Sequence, residues 1–167
     1  MATFFTSDTH FGDHRVLSLY QRPFATTAEM DEALIATWNQ TVGPGDTVWH
    51  LGDFALGRKG LAAAVLPRLN GGKHLVAGNN DGPETLALPG WASVQPYAEI
   101  RVDGTALVLC HYPFRTWNGN ARGAWNLHGH SHGRLKPLPR QADVGADAWQ
   151  WRPIPLGAIL QPRRKPG

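Results

Sequence analysis

The sequence predicts an α/β protein built on a largely parallel sheet, and three observations carry that expectation. Short apolar runs rich in Phe, Val, Trp and Leu alternate with stretches of helical periodicity. Nineteen glycines and 13 prolines in 167 residues divide the chain into short elements separated by turns. Five of the apolar runs end beside a turn in side chains able to hold a ligand: Asp8 and His10, Asp53, Asn79, His111, and His130 with His132. In a parallel sheet the carboxyl ends of the strands share one edge, and ligands bind there.

Taken in order, Ala2 to Ser7 reads as a buried strand, because Thr3, Phe4, Phe5 and Thr6 all favour extended backbone. Val16 to Tyr20 reads as a short helix, stopped by Arg22-Pro23. Thr26 is placed to cap the next helix, with Glu29 completing a capping box. Met30, Leu34, Ile35 and Trp38 share one helical face, which predicts a core-facing helix over Ala28 to Gln40. A turn at Gly43-Pro44-Gly45-Asp46 leads into a strand over Thr47 to Leu51 and then Gly52-Asp53. Leu61 to Leu69 supports another helix, which Pro67 can end early. Lys73 to Ala77 is a strand broken at Gly78-Asn79-Asn80-Asp81, and residues 82–90 read as a surface loop. Ser93 to Val102 and Thr105 to Leu109 read as an antiparallel pair turning at Asp103-Gly104. Trp125 to His128 is a short strand, and the segment from Asp143 to Leu160 suggests one or two closing strands. Without a repeat or a linker, the expectation is a single domain over residues 1–167.

Composition narrows the class. Hydrophobic residues are 42 % and charged residues 17 %, which fits a packed globule and not a disordered chain. A single cysteine, Cys110, excludes an intrachain disulfide and suits a reducing compartment. No run approaches the roughly 18 apolar residues of a membrane span, and no basic leader precedes Thr3, so the expected compartment is the cytoplasm, away from the membrane. Much of the net charge of +3 comes from Arg163-Arg164-Lys165, so charge alone does not indicate a nucleic-acid partner.

Three histidines fall within residues 128–132, with Gly129 allowing close approach of the backbone. Neutral imidazole is the commonest side-chain metal ligand, so this cluster points to metal binding. By contrast His50 and His74 sit in or beside apolar strands and read as structural, and Cys110 reads as a small apolar strand residue.

The blocks Asp8-x-His10, Gly52-Asp53, Gly78-Asn79, His111 and Gly129-His130-x-His132 resemble those of the calcineurin-like metallophosphoesterase superfamily, in the same order. The resemblance implies a four-layer αββα sandwich of two mixed sheets flanked by helices. It also implies two metal ions: Asp8, His10, Asp53 and His132 would hold one, and Asp53, Asn79, His111 and His130 the other, with Asp53 bridging. Two divalent transition-metal ions suit these donors, Mn foremost, with Fe, Ni, Co or Zn as alternatives. The implied chemistry is hydrolysis of a phosphate-ester substrate by attack of a metal-bridging hydroxide, with Asp53 and Asn79 acting through the metals.

One departure from the family matters. Many phosphomonoesterase members carry a histidine directly after the glycine-asparagine pair, where it protonates the leaving group; Asn80 stands there and has no such proton. The expectation is therefore a phosphodiesterase, or an enzyme of nucleotide-type substrates. His14 is the candidate substitute acid, and Arg115, four residues past His111, the candidate clamp on the substrate phosphate, with Arg122 a second choice. Asp81 is expected to hydrogen-bond the metal loop. Asp147, in a segment resembling the C-terminal signature of small bacterial and phage members, is expected to support a metal histidine. Trp117, Trp125, Trp149 and Trp151 belong either to the core or to a rim where a base stacks. Two alternatives remain: a non-catalytic metal-dependent binding module on the same scaffold, and a nuclease, which needs a basic channel. Oligomeric state is left open.

Overall fold

The computed structural model describes residues 1–161, so the Arg163-Arg164-Lys165 cluster lies outside the described residues. The first half of the chain gives β1 (Thr3–Thr6), α1 (Arg15–Leu19), α2 (Thr27–Thr41), β2 (Thr47–His50), α3 (Leu61–Val65), β3 (Gly72–Val76), α4 (Pro83–Leu86) and β4 (Trp91–Gln95). The second half gives β5 (Tyr97–Val102), β6 (Thr105–Cys110), β7 (Trp125–His128), β8 (Gln141–Asp143), β9 (Ile154–Pro155) and α5 (Leu156–Leu160).

The strands divide into two mixed sheets, ordered β4-β3-β2-β1-β9 and β5-β6-β7-β8. In the first, β1 to β4 run parallel, with Phe4 opposite Val48 and Phe5 opposite Trp49, and β9 closes the edge antiparallel to β1. In the second, β5 and β6 are antiparallel while β6, β7 and β8 are parallel.

Alternation along β1 explains the layers. Phe5 points between the sheets, where it packs with Trp49, Leu51, Val76, Leu107, Leu109 and Leu127. Phe4 points the other way, onto Met30, Leu34, Ile35 and Trp38 of α2. Both faces of the first sheet are thus buried, which is why its strands read as continuous apolar runs. On the outer face of the second sheet Val108 packs with Trp117 and Ala124, a layer carried by residues 111–124 and the 3₁₀ turn Asn120–Arg122.

Several boundaries differ from the sequence expectation, each for a physical reason. The run Ser93 to Val102 is two strands in different sheets, because Pro96, without an N–H, separates β4 from β5. The hairpin at Asp103-Gly104 does form, with φ of 47° and 78° in its two central residues. Helix α3 ends at Val65 and continues as a 3₁₀ turn over Leu66–Arg68, tightened by Pro67. The expected loop at 82–90 contains α4, with Pro83 in its first turn. The closing segment supplies β9 but also α5 and a 3₁₀ turn over Ala146–Ala148. At the start of α2, Thr26 Oγ1 accepts from the Glu29 N–H at 3.1 Å, while the Glu29 carboxylate reaches back to the Ala25 N–H at 2.9 Å.

Candidate metal centre

Each donor side chain leaves the end of a strand. Asp8 and His10 follow β1, Asp53 follows β2, Asn79 follows β3, His111 follows β6, and His130 and His132 follow β7. The structure brings all seven together. Asp53 lies at the middle, with Oδ2 3.4 Å from His10 Nε2 and Oδ1 3.6 Å from His111 Nε2. On one side Asp8 Oδ1 lies 3.6 Å from His132 Nε2 and 3.9 Å from His10 Nε2. On the other, Asn79 Oδ1 lies 3.0 Å from both His111 Nε2 and His130 Nδ1.

Local backbone makes this convergence possible. Asp8, His10, Asp53, His130 and His132 all adopt left-handed conformations, with φ between 48° and 67°. Non-glycine residues visit that region at a cost, and such strain collects at functional sites. Gly52, at φ +93°, brings two donor loops into contact: a Cβ there would meet Gly78 N at 2.5 Å and His111 Nδ1 at 2.7 Å. Gly129 is equally confined, since a Cβ would run into the Ser7 and Asp8 side chains.

The donors fit a cation. Asp8 Oδ1 and His10 Nε2 are buried, face one another and have no hydrogen-bond partner, an arrangement costly in the absence of positive charge. Three imidazoles are turned so that Nε2 looks inward. His10 Nδ1 is held by Asp13 Oδ2 at 3.1 Å, His132 Nδ1 by Asp147 Oδ2 at 2.7 Å, and His111 Nδ1 by the Leu51 carbonyl at 2.7 Å. Burial pushes His10 down to about 4, so its ring is neutral and its lone pair free at neutral pH. Burial, reinforced by repulsion from Asp53, drives the Asp8 carboxyl well above the usual range, which a cation would reverse. The set is oxygen and imidazole nitrogen without thiolate, which suits divalent transition metals.

Comparison with known proteins agrees with the fold. No family model matches the chain. It is similar to the gene 66 protein of Mycobacterium phage L5, 32 % identical over 182 residues that cover 88 % of this chain and 87 % of that one. An uncharacterised protein of Methanocaldococcus jannaschii is 28 % identical over 164 residues, covering 93 % and 87 %. Among solved structures, a protein of unknown function from Aquifex aeolicus superposes with a TM-score of 0.72 at 21 % identity, covering 95 % and 97 % of the two chains. The phosphoesterase YfcE of E. coli gives 0.53 at 20 %, covering 94 % and 83 %. An archaeal phosphodiesterase gives 0.52 at 17 %, covering 87 % and 82 %. The chain belongs to the same family as the mycobacteriophage gene 66 protein, and its fold is that of the solved phosphoesterases.

Around this candidate metal centre, a shell of hydrogen bonds holds the donors. Asp81 accepts from the N–H groups of Asp53, Phe54 and Gly78 at 2.8, 2.9 and 2.8 Å, tying the loops after β2 and β3 together. Asn80 donates its backbone N–H to Asp53 Oδ1 at 2.8 Å and its side-chain amide to Asp53 Oδ2 at 2.7 Å. Burial opposes ionisation of Asp53, but His111 and these two donors outweigh it and hold the carboxyl below its usual value.

Two supporting residues escaped the sequence reading. Arg22, buried at 4 % exposure, donates to both oxygens of Asp147 at 2.9 and 2.8 Å and to the carbonyls of Asp8 and Thr9 at 2.6 and 2.8 Å. It thereby links the first donor loop to the carboxylate that orients His132. Tyr20 stacks on the His132 ring at 3.5 Å, and Arg134 covers Tyr20 at 4.7 Å. A proline following Arg22 marked only a helix stop, and nothing in the sequence distinguished Tyr20.

The remaining candidates fall elsewhere. A cleft of about 260 Å³ lies over the centre, floored by His10, Asp53, Asn79, Asn80, His130 and His132 and walled by Arg15, Val16, Leu19 and Tyr20. Neither His14 nor Arg115 lines it: His14 is exposed at the N-cap of α1, and Arg115 is exposed in the loop after His111. Arg122 is exposed in its 3₁₀ turn on the outer face of the second sheet. The tryptophans pack: Trp117 on Val108, Trp125 and Trp149 against the core between the sheets, and Trp151 beside Phe24. His74 stacks on Trp49 at 4.4 Å, away from the donors.

His50 gives the metal-free protein a pH dependence. It is fully buried, with Nε2 2.9 Å from Thr9 Oγ1, and burial pushes it to about 3 from an ordinary 6.5. Between those values the unfolded chain binds more protons than the folded one, as it also does for His10. The contribution of each of these two histidines is therefore full above about 6.5 and falls as pH drops, by up to about 1.4 kcal/mol per group per pH unit, while the raised carboxyls of Asp8 and Asp31 act in the opposite sense. In thermal melts of chelator-treated protein from pH 8 to pH 4, the wild type should lose stability relative to His50→Gln as the pH drops, since only the wild type carries the buried imidazole.

Proposed function

We propose that this protein is a metallophosphoesterase, a dinuclear metal-dependent hydrolase of phosphate esters acting on phosphodiesters or nucleotide-type substrates in preference to simple monoesters. The observation that carries the reading is Asp53, set between His10 and His111 with one oxygen toward each, beside the unpartnered Asp8 Oδ1 and His10 Nε2. Asp8, His10, Asp53 and His132 would hold one cation and Asp53, Asn79, His111 and His130 the other, with Mn first among Mn, Fe, Ni, Co and Zn. When bound, such ions supply Lewis-acid polarisation of phosphoryl oxygens and an acidic water at neutral pH.

The protein's own groups set the rest. Asp13, Asp147 and the Leu51 carbonyl keep the imidazoles aimed, so the donors need no rearrangement during turnover. Asn80 gives its backbone N–H and one side-chain amide hydrogen to Asp53 and has no acidic proton for a departing alkoxide. That supports esters whose alcohol leaves readily without protonation. The names of the similar solved structures, a phosphoesterase and a phosphodiesterase, point the same way. A pure binding module has no need of a complete donor set. The single, buried Cys110 supports the cytoplasm as compartment, and among the described residues no helix is long and apolar enough to cross a membrane.

Protein loaded with Mn²⁺ should hydrolyse bis(p-nitrophenyl) phosphate faster than p-nitrophenyl phosphate, and chelation should remove both activities. Failure to cleave any phosphate ester with any of the five metals would overturn the reading.

A further inference from the structure

Arg15 opens α1 and is the one Lys or Arg lining the cleft among the described residues. Its Nε donates to Asp13 Oδ1 at 2.9 Å and its Nη2 to Asp13 Oδ2 at 2.8 Å, a bidentate pair reinforced by the Arg15 backbone N–H on Oδ1 at 3.1 Å. Asp13 is itself anchored, being 2 % exposed with Oδ2 against His10 Nδ1 at 3.1 Å. The guanidinium is therefore hung from a fixed carboxylate that also aims a metal donor.

A guanidinium carries five N–H donors in a rigid plane, and Asp13 consumes one edge of it. Among the described residues the Nη1 edge has no hydrogen-bond partner, while the side chain as a whole is 50 % exposed. An exposed ion pair contributes little stability for the side-chain entropy it costs, so stability is a weak reason to fix this rotamer. A preset cation beside a site for phosphoryl oxygens has another use, because an arginine fork matches phosphate geometry.

We propose that Arg15 is the substrate-anchoring residue of this cleft, its free Nη1 edge gripping a phosphate oxygen of the bound ester. The assignment rests on the proposed phosphoesterase function and gives to Arg15 the role that the sequence suggested for Arg115. The cleft wall on which it stands also carries Leu19, 58 % exposed, and Tyr20. One phosphate oxygen and one apolar flank are thus read from the same side.

Calorimetry on Mn²⁺-loaded protein with inorganic phosphate as the probe tests this without turnover. Arg15→Ala should take up Mn²⁺ with wild-type stoichiometry yet bind phosphate about tenfold more weakly, the loss expected for a charge-assisted hydrogen bond. Arg15→Lys should recover part of the loss, and Arg115→Ala should change nothing. In hydrolysis of bis(p-nitrophenyl) phosphate the Arg15→Ala defect should fall chiefly on KM. Wild-type phosphate affinity in Arg15→Ala overturns the proposal. So does a loss that merely follows reduced Mn²⁺ uptake, which would make Arg15 a brace for Asp13 and His10, and so does absence of phosphate binding by the wild type. A wild type that binds phosphate but cleaves no ester overturns the proposed activity alone, and the calorimetric comparison still decides the role of Arg15.

Discussion

Asp53→Asn is expected to remove activity almost completely, by about 10³-fold or more, because one change takes a charged donor from both proposed cation sites. Its effect on folding without metal should be small, because two changes oppose one another. In the metal-free protein the Asp53 charge raises the Asp8 carboxyl, and losing it removes that repulsion. The amide that replaces it meets two donors from Asn80 with a single oxygen, which takes back part of the gain. Melting temperature should therefore change little without metal. The rise that Mn²⁺ brings to the wild type should largely vanish, since stabilisation by a ligand follows its affinity for the folded state. Melts of both proteins with and without Mn²⁺ make the comparison. A variant still stabilised like the wild type would mean that Asp53 does not bridge.

Arg22→Met should produce the largest loss of stability. The guanidinium side chain is fully buried, and its removal takes from the Asp147 carboxylate its charged partner, leaving it His132 alone among the described residues, and from two carbonyls the donor they share. Breaking one side of a buried ion pair costs about 3–5 kcal/mol, which lowers the melting temperature by on the order of 10 °C in a chain of this size. Adding Asp147→Asn should restore much of the stability, because removing both charges costs less than stranding one. It should not restore metal affinity, since His132 then loses the carboxylate that orients it. A double variant no more stable than the single one would show that Arg22 acts through the Asp8 and Thr9 carbonyls alone.

The donor blocks were legible in the sequence because each combines two local signals, an apolar run and a ligand-capable residue at its turn. Asp81 was legible too, as an acidic residue beside such a turn, whereas Asp147 was indicated only by the resemblance of its segment to a family signature; the structure finds them bonded to the loop and to His132. What stayed hidden depends on direction in space. Arg115 stands close to a donor in sequence, whereas Arg15 reaches the cleft because left-handed residues at Asp8 and His10 and the turn at Gly12 fold the chain back before α1. Aspartate and histidine carry no sign of positive φ as glycine does, so that reversal could not be read. Arg22 is a parallel case: its partners lie 14 and 125 positions away. The split of Ser93–Val102 into two sheets was signalled by Pro96, but which sheet takes which half follows from long-range pairing.

The left-handed donor residues bear on how the centre would select its ions. Their conformational cost is met by the surrounding fold before any ion arrives, so the affinity of an incoming ion is not diluted by the work of shaping loops. A socket cast in advance discriminates by radius and preferred coordination, not by adaptive closure. Exchange among similarly sized divalent ions should accordingly leave the backbone unmoved, and catalytic output should vary with the Lewis acidity of the guest.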